Sequence, residues 1–249
     1  MRLRNIATCV AAALVAALLL LPAGAGATGG AGMPDPSASF LNVSSAIYVT
    51  KSVVVTGRLN TTRPGQRVDV QARLAQKAWT KVGTATVRSD QTFRLKWKVA
   101  DRVGHYTLRA QLHGAARLAS TADPVTATTT TTTAHRSNVA TWFGPEDNGS
   151  ETACGVPLTT TVLGVAHKSL PCGTQVSFLF HGREVTVPVI DRGPYTKGVT
   201  WDLTEGTAAA LGFTDTGRGK VGAAILTDEP LADLSDLGTV ATPAKSKKR

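Results

Sequence analysis

Cysteine, aromatic side chains and acidic residues are all scarce in this chain. Among 249 residues there are three Cys, and Asp and Glu together number 17 against 27 Lys and Arg. The sequence lacks the Cys and His spacing of zinc sites, a glycine-rich phosphate loop and a serine nucleophile elbow. It therefore predicts no bound metal and no cofactor. Beyond the N-terminal region, no stretch is long and apolar enough to span a membrane.

The N-terminus has the pattern of a secretory signal peptide. Arg2 and Arg4 precede an apolar run from Ala11 to Leu21, which is too short to cross a bilayer, and the small residues Ala25-Gly26-Ala27 follow it. We predict a signal peptide over residues 1–27, a secreted, cell-wall location and no membrane anchor after cleavage. The alternative is an uncleaved anchor.

Export changes the number of cysteines that remain. Cys9 lies within the signal peptide, which leaves Cys154 and Cys172 in the mature chain. Outside the cytosol such a pair is expected to form a disulfide, which would stabilise a loop of this length by roughly 3 kcal/mol. Two free, buried thiols are the alternative.

Positive charge is concentrated in the first part of the mature chain. Residues 38–127 contain fourteen Lys and Arg against four Asp and Glu, whereas residues 138–227 contain six and eight. This asymmetry indicates an anionic partner for residues 38–127. In an exported protein we expect an anionic wall polymer or a membrane surface sooner than nucleic acid. Solubility alone is the alternative explanation.

Two β regions are separated by a threonine run. Segments that alternate strictly, such as Arg67–Leu74, together with turn signals and the lack of a helical period, predict a β-sandwich over residues 38–127. The run from Thr128 to Thr133 has no apolar content and predicts a linker over residues 128–137. Residues 228–249 lack periodicity and are expected to form a disordered tail.

Residues 138–227 have the pattern of a compact domain of strands with one helix. Gln175–Phe180 and Val185–Ile190 flank a short glycine-containing turn and predict a hairpin. Thr204 is a favourable N-cap for an alanine-rich segment that Gly212 ends. Many strands and one short helix favour a small β-barrel, so the predicted fold class is all-β.

Three titratable residues of this domain lie at the ends or edges of apolar segments. Asp191 ends an apolar strand, Asp202 lies within a later apolar segment, and His167 precedes a turn. A carboxylate at the end of such a strand is a candidate acid or base. Each residue also has a structural alternative: Asp191 could pair with Arg192, Asp202 could begin a helix, and His167 could belong to the core.

These residues fall within a series of motifs. In chain order the motifs are Thr141-Trp142-Phe143-Gly144, Thr152-Ala153-Cys154-Gly155, Gly164 to Thr174, Val189 to Tyr195 and Trp201 to Thr204. Over residues 138–227 the series resembles the RlpA-like double-psi β-barrel family, in particular the cysteine-containing versions common in actinobacteria. The resemblance implies a six-stranded double-psi β-barrel and a bridge between Cys154 and Cys172. Residues 38–127 lie outside it and look like a generic bacterial Ig-like domain.

The resemblance also implies action on cell-wall glycan. Some members are lytic transglycosylases that cleave peptidoglycan glycan strands, and expansins of the same barrel loosen polysaccharide without evident hydrolysis. By this resemblance Asp191 is the acid/base, His167 is its neighbour, and Asp202 matches a functional Asp of expansins. Active relatives carry a Glu where this chain has Val156. Cleavage, binding without cleavage and a protease-inhibitor-type module therefore all stay open.

Aromatic residues flank the same motifs and indicate a surface for sugar rings. We predict that Tyr195, Trp142 and Arg192 bind substrate, and that Tyr195 is exposed. Because Trp142 and Phe143 are adjacent on a predicted strand, they are expected to point to opposite sides of it.

Overall fold

The structure, a computed structural model, describes residues 39–60, 62–114, 129–144, 146 and 149–227. The predicted signal peptide, residues 1–27, and the predicted tail, residues 228–249, lie outside these ranges. Within the described ranges, no helix combines the length and the apolar character that crossing a membrane requires.

The N-terminal region is built from short strands, because apolar and polar residues alternate along them. The strands are β1 (Phe40–Asn42), β2 (Ala46–Tyr48), β3 (Ser52–Arg58), β4 (Arg67–Leu74), β5 (Thr80–Thr86), β6 (Phe93–Lys98) and β7 (Gly104–Leu112). One sheet has the order β1-β3-β6, and in a second sheet β4 lies between β7 and β5. Val55 and Phe93 of the first sheet and Val68 and Leu108 of the second belong to one buried cluster. The predicted strands are present in two sheets that share a core, and an Ig-like topology stays a prediction.

The threonine run belongs to a long strand, β8 (Thr129–Phe143). Residues 129–134 of this strand pair with β7, and residues 136–140 pair with a strand of the C-terminal region. The predicted linker over residues 128–137 is therefore wrong where the structure describes it. β-branched threonines suit a pleated strand once neighbouring strands supply hydrogen bonds. The two β regions consequently share one continuous strand.

Six strands of the C-terminal region close into a barrel. They are the second half of β8 with β9 (Val165–Ala166), β10 (Gln175–Phe180), β11 (Arg183–Asp191), β12 (Trp201–Thr204) and β13 (Gly219–Ile225). Each strand pairs with the next in the order β8-β12-β9-β11-β10-β13, and β13 pairs with β8. Phe178, Val189 and Leu203 are among the apolar residues that fill the interior. The predicted all-β class with a six-stranded barrel is confirmed.

A short helix secures the chain that leads into β9. Helix α1 (Glu205–Leu211) begins at the N-cap Thr204 and ends at Gly212, which has the left-handed conformation, as the sequence predicts. The Thr207 hydroxyl donates to the carbonyl of Gly164 at 2.9 Å, and the Gly164 N–H donates back to that hydroxyl at 2.9 Å. These bonds fix the entry to β9, the strand that leads to the candidate site.

Candidate functional site

The two aspartates singled out in the sequence flank one residue of the barrel wall. Asp191, the last residue of β11, pairs with Ala166 of β9 after a register shift that follows Val189. Asp202 of β12 pairs with the same Ala166 from the other side. The two aspartate Cα atoms are therefore two strand spacings apart, about 10 Å. Directly paired residues project to the same side of a sheet, so both side chains belong to one surface.

The Asp191 carboxylate is held at one oxygen. Its Oδ1 accepts a hydrogen bond from the backbone N–H of Ala153 at 2.8 Å. The Asp191 carbonyl accepts from the backbone N–H of His167 at 3.1 Å. Within the described part of the chain Oδ2 has no hydrogen-bond partner, and the side chain is partly exposed. The carboxylate thus has a fixed orientation and one oxygen available to a ligand.

The imidazole of His167 is oriented by backbone groups. Its Nδ1 accepts hydrogen bonds from the backbone N–H of Ser169 at 3.2 Å and of Leu170 at 3.0 Å. Burial of the ring, and then the positive charges of Arg192 and Lys168, lower the pKa of His167 below its ordinary 6.5. At neutral pH the ring is therefore uncharged, with its proton on Nε2. In this state His167 is a hydrogen-bond donor and not a base at that atom.

Asp202 is bound to the neighbouring barrel strand. Its Oδ1 accepts a hydrogen bond of 2.6 Å from the hydroxyl of Thr141, which is its register partner on β8. Asp202 lies within β12 and does not begin a helix, so the structural alternative from the sequence is wrong here. The hydroxyl fixes the carboxylate on the surface that it shares with Asp191.

Arg192 has its guanidinium turned into the loop. Nη1 donates to the carbonyls of His167 and Asp191, both at 3.4 Å, and Nη2 donates to Sγ of Cys172 at 3.1 Å. These contacts join the segments that carry the histidine, the aspartate and the cysteine. They explain how the loop is held, and a direct role of Arg192 in binding substrate stays a prediction.

The predicted disulfide between Cys154 and Cys172 is present, with 5.9 Å between the Cα atoms. The backbone N–H of Cys154 donates to the carbonyl of Ile190 at 3.2 Å, and that of Gly173 donates to the carbonyl of Val189 at 2.8 Å. The bridge therefore secures two loops against the end of β11. One of these loops supplies the N–H that orients Asp191.

The aromatic residues divide into one exposed and several packed side chains. Tyr195 is 81% exposed, as the sequence predicts. Two residues before Tyr195, the buried Gly193 has a φ of +127°, a backbone conformation that favours glycine. The Trp142 indole N–H donates to the carbonyl of Thr214 at 3.1 Å, and the buried Trp201 ring lies 4.7 Å from the His167 ring. Tyr195 is thus the aromatic residue of the motifs that is most open to a ligand.

Val156 has no contact with solvent. It is 0% exposed and belongs to a small apolar cluster with Leu158, Val162 and Ile190, beneath the loop that orients Asp191. Phe143 packs against this cluster while Trp142 packs against the barrel interior, so the two adjacent aromatic residues point to opposite sides, as predicted. The position where active relatives carry a Glu is therefore closed in this chain.

Replacing Val156→Glu is expected to lower the free energy of unfolding by about 3 kcal/mol or more, because a carboxylate would be buried among apolar side chains without a partner. Urea denaturation followed by tryptophan fluorescence measures the change. Val156→Ala is the matched control and is expected to cost about 1–2 kcal/mol. Equal stability of the two variants would contradict the closed position and would mean that the Glu reaches solvent or a partner.

Sequence reasoning missed the groups that hold the site residues. The backbone N–H of Ala153, the two N–H groups that bind His167 and the Thr141 hydroxyl leave no sign in the pattern of residue types. The motif Thr152-Ala153-Cys154-Gly155 comes closest to indicating one of these groups, because the disulfide of Cys154 holds the neighbouring Ala153 in place. Among the described residues no group of three His, Cys, Asp or Glu side chains lies close enough to hold a metal ion.

A closed six-stranded barrel that carries two aspartates on one surface, with a histidine directly after the strand between them, defines the class as a small double-psi β-barrel domain. The family model described as "Lytic transglycolase" matches residues 135–223, which include strand residues from all six barrel strands. This segment belongs to the RlpA-like double-psi β-barrel family, as the motifs indicated.

Named relatives are similar to about a third of the chain. The probable endolytic peptidoglycan transglycosylase RlpA of Synechocystis sp. is 40% identical over 88 residues, which cover 34% of this chain and 27% of that protein. The endolytic peptidoglycan transglycosylase RlpA of Campylobacter jejuni is 36% identical over 85 residues, covering 33% of this chain and 31% of that protein. This chain therefore spans about a third of the length of these relatives.

Among solved structures, an expansin of Clavibacter michiganensis in complex with cellohexaose aligns with a TM-score of 0.32 and 20% identity. The alignment covers 38% of this chain and 51% of that one.

Proposed function

We propose that the barrel acts on the glycan strands of peptidoglycan at the surface that carries Asp191, His167 and Asp202, in the cell wall outside the cytoplasm. The observation that carries the proposal is the Asp191 carboxylate, which is oriented through Oδ1 by Ala153 and has Oδ2 available to a ligand. The family of residues 135–223 and the chain's similarity to endolytic peptidoglycan transglycosylases support glycan of the wall as the substrate class.

In the cleaving form of this proposal, Asp191 is both acid and base. Its carboxyl group donates a proton to the glycosidic oxygen as the bond from that oxygen to C1 breaks. The 6-hydroxyl oxygen of the muramoyl residue then bonds to C1, and its proton passes to the Asp191 carboxylate. The product is a 1,6-anhydro end, no water is consumed, and Asp191 returns to its starting state.

The neighbours of Asp191 have positioning roles in the same proposal. Neutral His167 presents its Nε2–H as a donor to a substrate oxygen, because both hydrogen bonds at Nδ1 exclude the other tautomer. Asp202, held by Thr141, contributes a second carboxylate to the surface, and its Cα atom lies about 10 Å from that of Asp191. Such a pair can bind hydroxyl groups on both sides of a scissile bond.

A second candidate function is binding of glycan without cleavage. The buried Val156 favours it, because the position of the family's Glu offers no carboxylate to the site. The two functions share the surface and the substrate and differ in whether a bond breaks.

Digestion of purified sacculi tests the proposal. The full chain is incubated with sacculi, and the soluble fraction is examined by mass spectrometry for 1,6-anhydromuramoyl fragments, while the pellet is assayed for bound protein. Fragments establish the cleaving form, and binding without fragments establishes the second candidate. A protein that neither binds sacculi nor releases fragments would overturn both.

Tyr195→Ala is expected to weaken binding to sacculi by roughly two- to tenfold, because a stacked aromatic ring contributes about 0.5–1.5 kcal/mol beyond its buried area. Co-sedimentation over a range of sacculus concentrations measures the change. Tyr195→Phe keeps the ring and is expected to bind like the wild type. Leu163→Ala, at the other large apolar side chain that is exposed among the described residues, is the control, and an equal loss in this variant would contradict a specific role for Tyr195.

A further inference from the structure

An open cavity of about 720 Å³ lies on the N-terminal β region, and all its lining residues fall between Ala72 and Tyr106. We call it the basic groove. Five of its lining side chains are cationic and none is acidic; the cations are Lys77, Lys81, Lys96, Lys98 and Arg102. The groove shares no residue with the surface around Asp191, so it needs an explanation of its own.

The charges of the basic groove are mostly uncompensated. Lys81 pairs with Asp69 at 3.0 Å, and the described residues provide no ion pair for the other four cations. Asp101 is the acid next to the groove in sequence, and its carboxylate binds Arg136 at 3.1 Å. Several like charges around one concave surface repel one another and attract an anion. The groove therefore favours a ligand that carries negative charge.

The floor of the groove is apolar. Trp97 and Tyr106 are 5% and 6% exposed, and their rings meet edge to face with 5.5 Å between centroids. The Tyr106 hydroxyl donates to the carbonyl of Arg102 at 3.1 Å, which ties the floor to one of the cationic positions. Because these two rings are almost wholly buried, the apolar surface of the floor that a ligand can contact is that of the half-buried Leu74 and Val82. This surface can take the carbon skeleton of a ligand while the lysines bind its charges.

The type and spacing of the cations indicate what kind of anion fits. Four of the five are lysines, which bind phosphate as point charges, whereas the planar fork of arginine is the group that matches a carboxylate in two hydrogen bonds. Lys96 and Lys98 are two residues apart on β6 and project to the same side, about 6.8 Å apart. Two such positions beside further cations suit a chain with repeating anionic groups better than a single ion.

We propose that the basic groove binds a phosphodiester polymer whose repeating unit is a polyol or a sugar. The phosphates contact the lysines, and the polyol segments lie on the half-buried Leu74 and Val82 of the floor. The site is independent of glycan binding at the barrel, so either assignment can fail without the other.

Purified poly(glycerol phosphate) is the probe, and its affinity for the full chain is measured by isothermal titration calorimetry at low and physiological salt. The double charge reversal Lys96→Glu with Lys98→Glu is expected to weaken binding at least roughly tenfold, and the wild-type affinity is expected to fall as salt rises. Arg63→Glu with Arg88→Glu is the matched control, because both arginines are exposed, lie outside the groove and give the same change in net charge. It is expected to bind within about threefold of the wild type.

Competing polymers decide whether the ligand class is right. Dextran is expected not to bind, and polyglutamate is expected to bind more weakly than poly(glycerol phosphate) at equal charge. Equal losses in the two double variants would overturn the site. Tighter binding of polyglutamate would overturn the preference for phosphate, and tighter binding of oligothymidylate or of phosphatidylglycerol vesicles would assign the groove to nucleic acid or to a membrane surface.

Discussion

Asp191→Asn is expected to reduce the release of 1,6-anhydromuramoyl fragments from sacculi by about 10²–10⁴-fold, the usual contribution of a general acid or base. The amide retains an oxygen that can accept the hydrogen bond from Ala153, so the loop geometry is expected to persist. It cannot donate and then recover the proton that the proposed reaction moves. Timed digestion with quantitative mass spectrometry measures the rate, and co-sedimentation is expected to show nearly unchanged binding.

Asp215→Asn is the control for this variant. Asp215 is exposed and lies in the 3₁₀ turn Thr214–Thr216 of the same domain, so the substitution makes the same chemical change away from the candidate site. Its product release is expected to equal that of the wild type. An Asp191→Asn protein that releases fragments within tenfold of the wild-type rate would exclude Asp191 as the acid/base.

Removal of the disulfide, by Cys154→Ser with Cys172→Ser, is expected to cost about 3 kcal/mol of unfolding free energy, because the bridge closes a loop of 18 residues in the unfolded chain. For a folded region of this size, the loss corresponds to a fall in Tm of about 6–12 °C. Differential scanning calorimetry measures it. Because Ala153 adjoins Cys154, the variant is also expected to loosen the group that orients Asp191.

Reducing agent provides the matching comparison for the disulfide. Reductant is expected to lower the Tm of the wild type towards that of the double variant and to leave the double variant unchanged. A wild-type Tm that is the same as that of the double variant under non-reducing conditions would show that the bridge contributes nothing to stability.

Local pattern was sufficient to predict most of the fold. Alternation along Arg67–Leu74, and the glycine-containing turn after Gln175–Phe180, predicted strands with the same bounds as β4 and β10. Thr204 and Gly212 marked the ends of α1 because capping is decided by neighbouring residues. The threonine run was wrongly predicted to be a linker, because composition alone does not show that β7 and β13 form hydrogen bonds with the strand that contains it.

The candidate site was predicted in its residues but not in its geometry. Asp191, His167, Asp202 and the cysteine pair followed from the motifs; the structure places the two aspartates on one surface, and hydrogen bonds from backbone N–H groups join Asp191 to His167 and to Ala153, the neighbour of Cys154. That Asp202 meets Thr141, and that Nδ1 of His167 is already occupied, depend on register and loop backbone. The basic groove could not be predicted from the sequence. Its lysines come from separate segments, and the packing of the two sheets determines whether these segments lie close together.

The strand shared by the two β regions also sets a length scale. At about 3.4 Å per residue, the 15 residues of β8 extend for roughly 50 Å without a joint. If a flexible linker joined the two regions and one region were anchored, the barrel could occupy any position within reach of the linker. The local concentration of the barrel near a given target would then fall as the linker became longer. A continuous strand instead sets the separation: where one region is anchored, the other lies at a fixed distance from the anchor and in a fixed direction.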